Sequence, residues 1–182
     1  MVKMLVTYAS EHGATAEIAQ TIARTLRRRG LEVIARRVEE VHDLNGFDAV
    51  VFGSAVYLGQ WTPKGVEFLT QYASKLETLP LWLFSSGPTG KGDPVTLLNG
   101  AIIPDELLPL IQQIRPSDVV VFHGKIDLRR LPDKERTIIK ATGVPRGDFR
   151  DWDAIKEWAL EIADSITALL PTETPNTELA PK

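Results

Sequence analysis

Cysteine is absent from the 182 residues. That excludes disulfides, Cys-ligated zinc, iron–sulfur clusters and a thiol nucleophile, and it fits a cytoplasmic chain. Long apolar runs are also missing. None approaches the roughly 20 residues that a membrane-spanning helix needs. The first strand begins within a few residues of Met1, so no signal peptide is expected ahead of it. Charge of one sign is scarce too: the net charge of −3 gives no global bias toward nucleic acid. Three histidines, His12, His42 and His123, are too scattered to suggest a metal site, and no Ser–His–Asp arrangement is evident.

What is present alternates. Met4–Tyr8 reads as a buried strand, and Thr15–Arg29 as a helix with Ile18, Ala19, Ile22, Ala23 and Leu26 on one face, stopped by Gly30. Leu31–Val38 is the second strand, followed by a short connection with room for one helical turn. Asp48–Ser54 is an almost continuous apolar run, the mark of a central strand covered on both faces. The loop Ala55–Pro63 leads to a helix over Gly65–Leu76, with Thr62 as cap and Pro63 at its start. Leu81–Ser86 is the fourth strand and Gly87–Gly92 a loop. A helix is expected over Pro104–Ile114, interrupted early by Pro109, then a fifth strand over Ser117–His123. A charged excursion, Lys125–Arg150, precedes a last amphipathic helix over Trp152–Leu170, capped by Asp151. Trp82, Trp152 and Trp158 read as packing residues. The tail from Pro171 is rich in Pro, Thr and Glu and reads as disordered.

Five strands alternating with helices predict one α/β domain over residues 1–170, a doubly wound parallel sheet with helices on both faces. Such sheets bind ligands beyond the carboxyl ends of their strands. The loops there begin at Ala9, Ala55, Gly87 and Gly124, and three of the four carry the Gly, hydroxyl and aromatic residues that a ligand needs. The first, Ser10-Glu11-His12-Gly13-Ala14-Thr15, joins a strand to a helix N-terminus, where backbone N–H groups, two hydroxyls and the helix dipole favour a phosphate. It is not Gly-x-x-x-x-Gly-Lys-Ser/Thr, which disfavours a nucleoside triphosphatase. Nor is it Gly-x-Gly-x-x-Gly, which disfavours a dinucleotide. A receiver domain of the same topology needs acidic residues after strand one and an Asp ending strand three, where this chain has Ser10-Glu11 and Gly53-Ser54.

The hydroxyl–x–x–Gly–x–Thr loop resembles the FMN phosphate loop of flavodoxins, which hold the phosphate largely with neutral donors. It departs at His12, where many flavodoxins carry a further hydroxyl. Asp48–Gly59 resembles the third strand and flavin loop of that family, and Ser85-Ser86-Gly87-Pro88-Thr89-Gly90 the loop that passes the flavin ring. Gly124-Lys125-Ile126-Asp127 and Gly147–Ile155, with its Asp151-Trp152 pair, resemble the branch that contains the menaquinone-dependent protoporphyrinogen oxidases. The resemblance implies strand order 2-1-3-4-5 and FMN as cofactor. It places the phosphate at Ser10, Glu11, His12, Gly13, Ala14 and Thr15, and the ring between Ala55, Val56, Tyr57, Leu58, Gly59 and Trp61 on one side and Ser86, Gly87, Pro88, Thr89 and Gly90 on the other. Tyr57 or Trp61 is expected to stack on the ring, and Gly59 to turn its peptide toward flavin N5.

The resemblance further implies electron transfer to a redox partner protein, or oxidation of a porphyrinogen with a quinone as acceptor. The chemistry is then the flavin's, and no side chain is required as acid or base. Each residue also has a plainer reading. Ser10 and Thr15 serve equally as helix caps, His12 as a solvent-facing loop residue, and Trp61 as an anchor for the following helix. Arg24, Arg27, Arg28, Arg29, Arg36 and Arg37 read as a solvated helix end. In 125–150, Lys125, Arg129, Arg130, Lys134, Arg136, Lys140, Arg146 and Arg150 interleave with Ile126, Leu128, Leu131, Ile138 and Ile139. That mixture suits either a peripheral membrane contact at the inner face, the propionates of a porphyrin, or a charged surface insertion. A module of another class, binding a different phospholigand or a protein partner without catalysis, is the alternative that His12 leaves open.

Overall fold

The computed structural model describes residues 2–169. Leu170 and the tail from Pro171 lie outside the described residues. In chain order the elements are β1 (Lys3–Ala9), α1 (Ala14–Arg28), β2 (Glu32–Arg37), β3 (Ala49–Tyr57), β4 (Gln60–Trp61), α2 (Pro63–Leu76), β5 (Leu81–Ser86), α3 (Pro94–Leu97), α4 (Leu108–Ile114), β6 (Asp118–Phe122), β7 (Lys125–Ile126), α5 (Asp133–Thr142), β8 (Gly147–Asp148) and α6 (Trp152–Leu169). Five strands run parallel in the order β2-β1-β3-β5-β6, and β4 folds back antiparallel on β3. With that short return set aside, the order is the expected 2-1-3-4-5.

The central strands β1, β3 and β5 are largely apolar because both faces are covered. Met4, Val6, Ala49, Val51, Trp82 and Phe84 point toward α1 and α6, where Ile18, Ile22, Leu26, Ile155, Trp158 and Ile162 meet them. Their neighbours Leu5, Val50, Phe52, Leu81 and Leu83 point the other way, against Phe68, Leu69 and Leu76 of α2 and Ile114 of α4. One chain thus reads as two half-cores by the two-residue period of a strand. Trp82 and Trp158 lie in the core as expected, and Trp158 Nε1 donates to Asp118 Oδ2 at 2.7 Å.

Several boundaries differ from the sequence reading. Pro109 does not interrupt a helix: it sits in the first turn of α4, where its missing N–H costs nothing, and a 3₁₀ turn at Asp105–Leu107 precedes it. The loop expected from Ala55 is strand as far as Tyr57. It then reverses through Leu58 (φ 50°) and Gly59 (φ 79°) into β4, with Tyr57 opposite Gln60. Two consecutive left-handed residues make a tight hairpin of the kind that matches strand twist, unusual here in placing Leu in its first position. The charged excursion also has more order than its composition suggests. β7 pairs antiparallel with β8, a 3₁₀ turn spans Leu128–Arg130, and α5 lies between. The expected helix ends do hold. Gly30 closes α1 with N–H bonds to Arg27 and, through Leu31, to Leu26. Thr62 Oγ1 accepts from Gly65 N at 3.3 Å, and Asp151 Oδ1 accepts from Ala154 N at 3.0 Å.

Gly53 is the point where the sheet admits no side chain. A Cβ there would stand 2.0 Å from the Phe84 ring of the neighbouring strand. Gly53→Ala must therefore displace that ring from a closed core, and we expect a loss of about 3 kcal/mol in urea unfolding, with the m-value unchanged.

Candidate functional site

Strand order reverses between β1 and β3, so the loops that follow them open side by side. The register brings Ala9 against Ser54 and Ala55 against Ser86. The loops after β1, β3 and β5 therefore share one end of the sheet, as the sequence reading requires.

The loop after β1 is built by its own side chains. Ser10, buried, accepts from Gly13 N at 3.2 Å through Oγ. Gly13 (φ 89°) is the residue that turns the chain into α1, a left-handed geometry that favours glycine. Thr15 is neither cap nor helix start, contrary to the simpler sequence reading. It lies inside the first turn, fully buried, and its Oγ1 is 2.8 Å from Ser86 Oγ on β5. That hydroxyl pair ties the first loop to the third beneath the opening. The first intrahelical-type bond is Glu17 N to Gly13 O at 3.0 Å. The amides of Ala14, Thr15 and Ala16 open the helix and carry its positive end.

The wall after β3 is aromatic on one side only. Tyr57 is 40% exposed and meets the His12 ring edge-on at 5.9 Å. Of the two readings of Trp61, the structure takes the helix anchor over stacking at the opening. Trp61 is only 4% exposed, its ring packs on Phe52 at 5.8 Å, and it anchors the α2 half-core instead of facing the opening. Once β4 folds back, its side chain takes the core side of the hairpin. Leu58 and Gly59 form the exposed tip, with Leu58 84% exposed. After β5, His123 spans the third loop: Nδ1 is 3.2 Å from Pro88 O and Nε2 2.8 Å from Gly92 O.

The sequence reading missed what the 125–150 segment contributes. Glu135 of α5 reaches His12, Oε2 to Nε2 at 2.7 Å. Glu11, His12 and Glu135 offer ligand atoms within 4.8 Å of one another, with His12 and Glu135 bonded directly. Arg150 is not the surface cation that the charge pattern suggests. Its side chain is 1% exposed and donates to Asp148 at 2.6 Å, Glu17 at 2.8 Å and the Ala14 carbonyl at 3.1 Å, while lying 4.4 Å over the Trp152 ring. Burial opposes its charge, but the two carboxylates raise its pKa further, and the Arg150 fork in turn holds the Asp148 carboxyl below its usual range. Arg37, expected on a solvated helix end, donates to the Ser10 carbonyl at 2.8 Å. No spacing rule joins these residues to the first loop, because the separations exceed a hundred positions for Glu135 and Arg150.

The donor set fits a phosphomonoester-bearing flavin. It is made of neutral hydroxyls (Ser10, Thr15 and Ser86) with free amides at a helix N-terminus, and Tyr57 stands alongside for a planar ring. Ser10 to Thr15 would hold the phosphate; Tyr57 and the Ser86–Gly90 loop would flank the ring.

Two consequences can be measured. Arg150→Ala leaves Asp148 and Glu17 without their shared partner. Since both stay near water, we expect a stability loss of about 2 kcal/mol, and a smaller one for Arg150→Lys, which keeps the charge but not the fork. Tyr57 is pushed up from 10.0 to about 12, by partial burial first and then by the carboxylates of Glu11 and Glu135. The folded phenol thus keeps its proton where the unfolded one has lost it. Its contribution is complete below pH 10 and disappears as the pH rises toward 12. Tyr57→Phe should flatten that alkaline fall in stability.

A family model described as the flavodoxin domain matches residues 5–152. Protoporphyrinogen IX dehydrogenase [quinone] of Escherichia coli is 24% identical over 173 residues, covering 88% of this chain and 94% of that protein. Among solved structures, a flavodoxin from the domain Archaea aligns with TM-score 0.57 and 15% identity over 91% of this chain and 99% of that one. Rubredoxin oxygen:oxidoreductase of Desulfovibrio gigas aligns with TM-score 0.58 and 15% identity, covering 91% of this chain but 36% of that one. The chain thus spans about a third of that protein's length, and at such identities the likeness is one of fold. With the phosphate loop, the switch-point opening and the sheet order in agreement, the chain belongs to the flavodoxin-domain family, whose cofactor is FMN.

Proposed function

We propose that this chain is an FMN-dependent oxidoreductase that withdraws hydrogen from a porphyrinogen-type substrate and passes it to a quinone. The observation that carries the flavin part is the Thr15–Ser86 hydroxyl pair, which closes the phosphate loop onto the ring loop at the open end of the sheet. FMN supplies two-electron and one-electron chemistry when bound. This chain's residues bind and orient it. The loop from Ser10 and the α1 N-terminus hold the phosphate, Tyr57 gives the ring an apolar face, and the loop fixed by His123 lies along its other side.

The choice of substrate rests on the similarity to the E. coli dehydrogenase and on the ordered 125–150 segment, which a simple shuttle does not need. Lys125, Arg129 and Arg146 line a shallow groove on that segment with Asp127 and Asp148, a place where substrate carboxylates can be met by fixed cations. Each turnover removes two hydrogens from the substrate and reduces one quinone to quinol. Among the described residues no helix is long and apolar enough to cross a membrane. A lipid-soluble quinone would therefore be met at a surface, with the 125–150 segment the candidate for peripheral contact.

The first test is a visible spectrum of the purified chain with added FMN, and absence of binding would overturn the reading. Thr15→Val should weaken FMN about tenfold, the value of one buried hydrogen bond to a charged group, and leave the fold intact. Protoporphyrinogen oxidation by the loaded protein with a menaquinone analogue then separates oxidase from shuttle. FMN binding with no substrate-dependent quinone reduction would leave a one-electron carrier.

A further inference from the structure

We propose that Arg130 is a direct ligand of the flavin phosphate, delivered to the loop by the segment between β6 and α6. The proposal rests on the FMN reading above and adds to it the residue that makes binding depend on phosphate charge. Arg130 stands over the apex of the loop: a Cβ placed on Gly13 would meet its Nη1 at 3.6 Å. The guanidinium therefore lies against the backbone that turns into α1, at the positive end of the helix.

The loop's surroundings call for a cation. A phosphomonoester carries close to two negative charges at neutral pH, the loop's hydroxyl and amide donors are uncharged, and its His12 is bonded to Glu135. Glu11 and Glu135 lie at the same mouth, and Glu17 is one turn into the helix. A dianion brought among three carboxylates is opposed unless a positive group comes with it. Two of the nearby arginines are already engaged. Arg37 serves the Ser10 carbonyl and Glu39, and Arg150 is buried against Asp148, Glu17 and the Ala14 carbonyl. Arg130 is held more loosely: its ion pair with Glu17 Oε1 spans 3.8 Å, too long for a hydrogen bond, and its side chain is 56% exposed. Glu17 meanwhile gives its other oxygen to Arg150 at 2.8 Å.

The backbone beneath Arg130 is held in place. Its N–H donates to Asp127 O at 3.0 Å, and the Arg136 guanidinium donates to the carbonyls of Leu128 and Leu131, each at 3.0 Å, on either side of it. Leu131 is buried. The turn is thus set before any ligand arrives, and ordering costs fall mainly on one side chain. A planar fork on a fixed turn suits two phosphate oxygens at once, which an ammonium does not.

The test is titration of the whole chain with FMN and, separately, with riboflavin, which has the ring without the phosphate. Both are followed by quenching of flavin fluorescence. Arg130→Gln should weaken FMN about tenfold and leave riboflavin unchanged, with Arg130→Lys intermediate. Raising the salt concentration should weaken FMN in the wild type more than in Arg130→Gln. Equal loss for both flavins, or no loss for FMN, overturns the role of Arg130 while leaving the FMN reading standing. A wild-type chain that binds neither flavin overturns that reading itself. Phosphorus NMR of bound FMN gives a readout independent of the ring: its resonance should move in Arg130→Gln, and an unmoved resonance counts against direct contact.

Discussion

The guanidinium of Arg150, withdrawn almost wholly from water, is the tie on which the functional end of the molecule depends. It joins three pieces of chain that sequence keeps far apart: the first turn of α1, the short β8 strand and the start of α6. A buried cation is tolerable only where every direction it points has an acceptor, and here two carboxylates, a carbonyl and an indole face supply them. Through this one side chain the segment between β6 and α6 becomes part of the support of the loop after β1.

Around that tie the site is assembled from both layers of the fold. The sheet brings three loops to one edge because its order reverses between β1 and β3. The hydroxyl pair Thr15–Ser86 then locks two of them together below the opening. The segment between β6 and α6 approaches from the other side, with His12 meeting Glu135 and Gly13 lying against Arg130. The hydroxyls of Ser10, Thr15 and Ser86 sit deep, with the charge of Arg150 buried behind them, while Glu135 and Arg130 reach toward water at the rim.

Much of this was legible in the sequence, for identifiable reasons. Strands buried on both faces leave continuous apolar runs, so Met4–Tyr8, Asp48–Ser54 and Leu81–Ser86 could be placed, and the order of loops followed. The turn from β1 into α1 was legible through Gly13 and Ser10. The hairpin after β3 was not, because its turn uses a left-handed Leu58 where a sequence rule looks for Asn or Gly. With the hairpin unseen, the sequence left Trp61 open between the opening and an anchor for α2, and the structure makes it the anchor. Pro109 read as a break because a proline in a helical pattern and a proline at a helix start differ only in where the first turn falls. The roles of Arg130, Glu135 and Arg150 were illegible for another reason. Charged residues follow no period, and their partners lie on elements joined only by the tertiary fold.

Leu58 carries one more consequence. A side chain with a Cβ held in the left-handed region costs about 1–2 kcal/mol, and this one is nearly all in solvent, so no packing offsets it. Glycine in its place would relieve the strain. The tip therefore presents apolar surface to water in a backbone conformation that a leucine holds against its own preference.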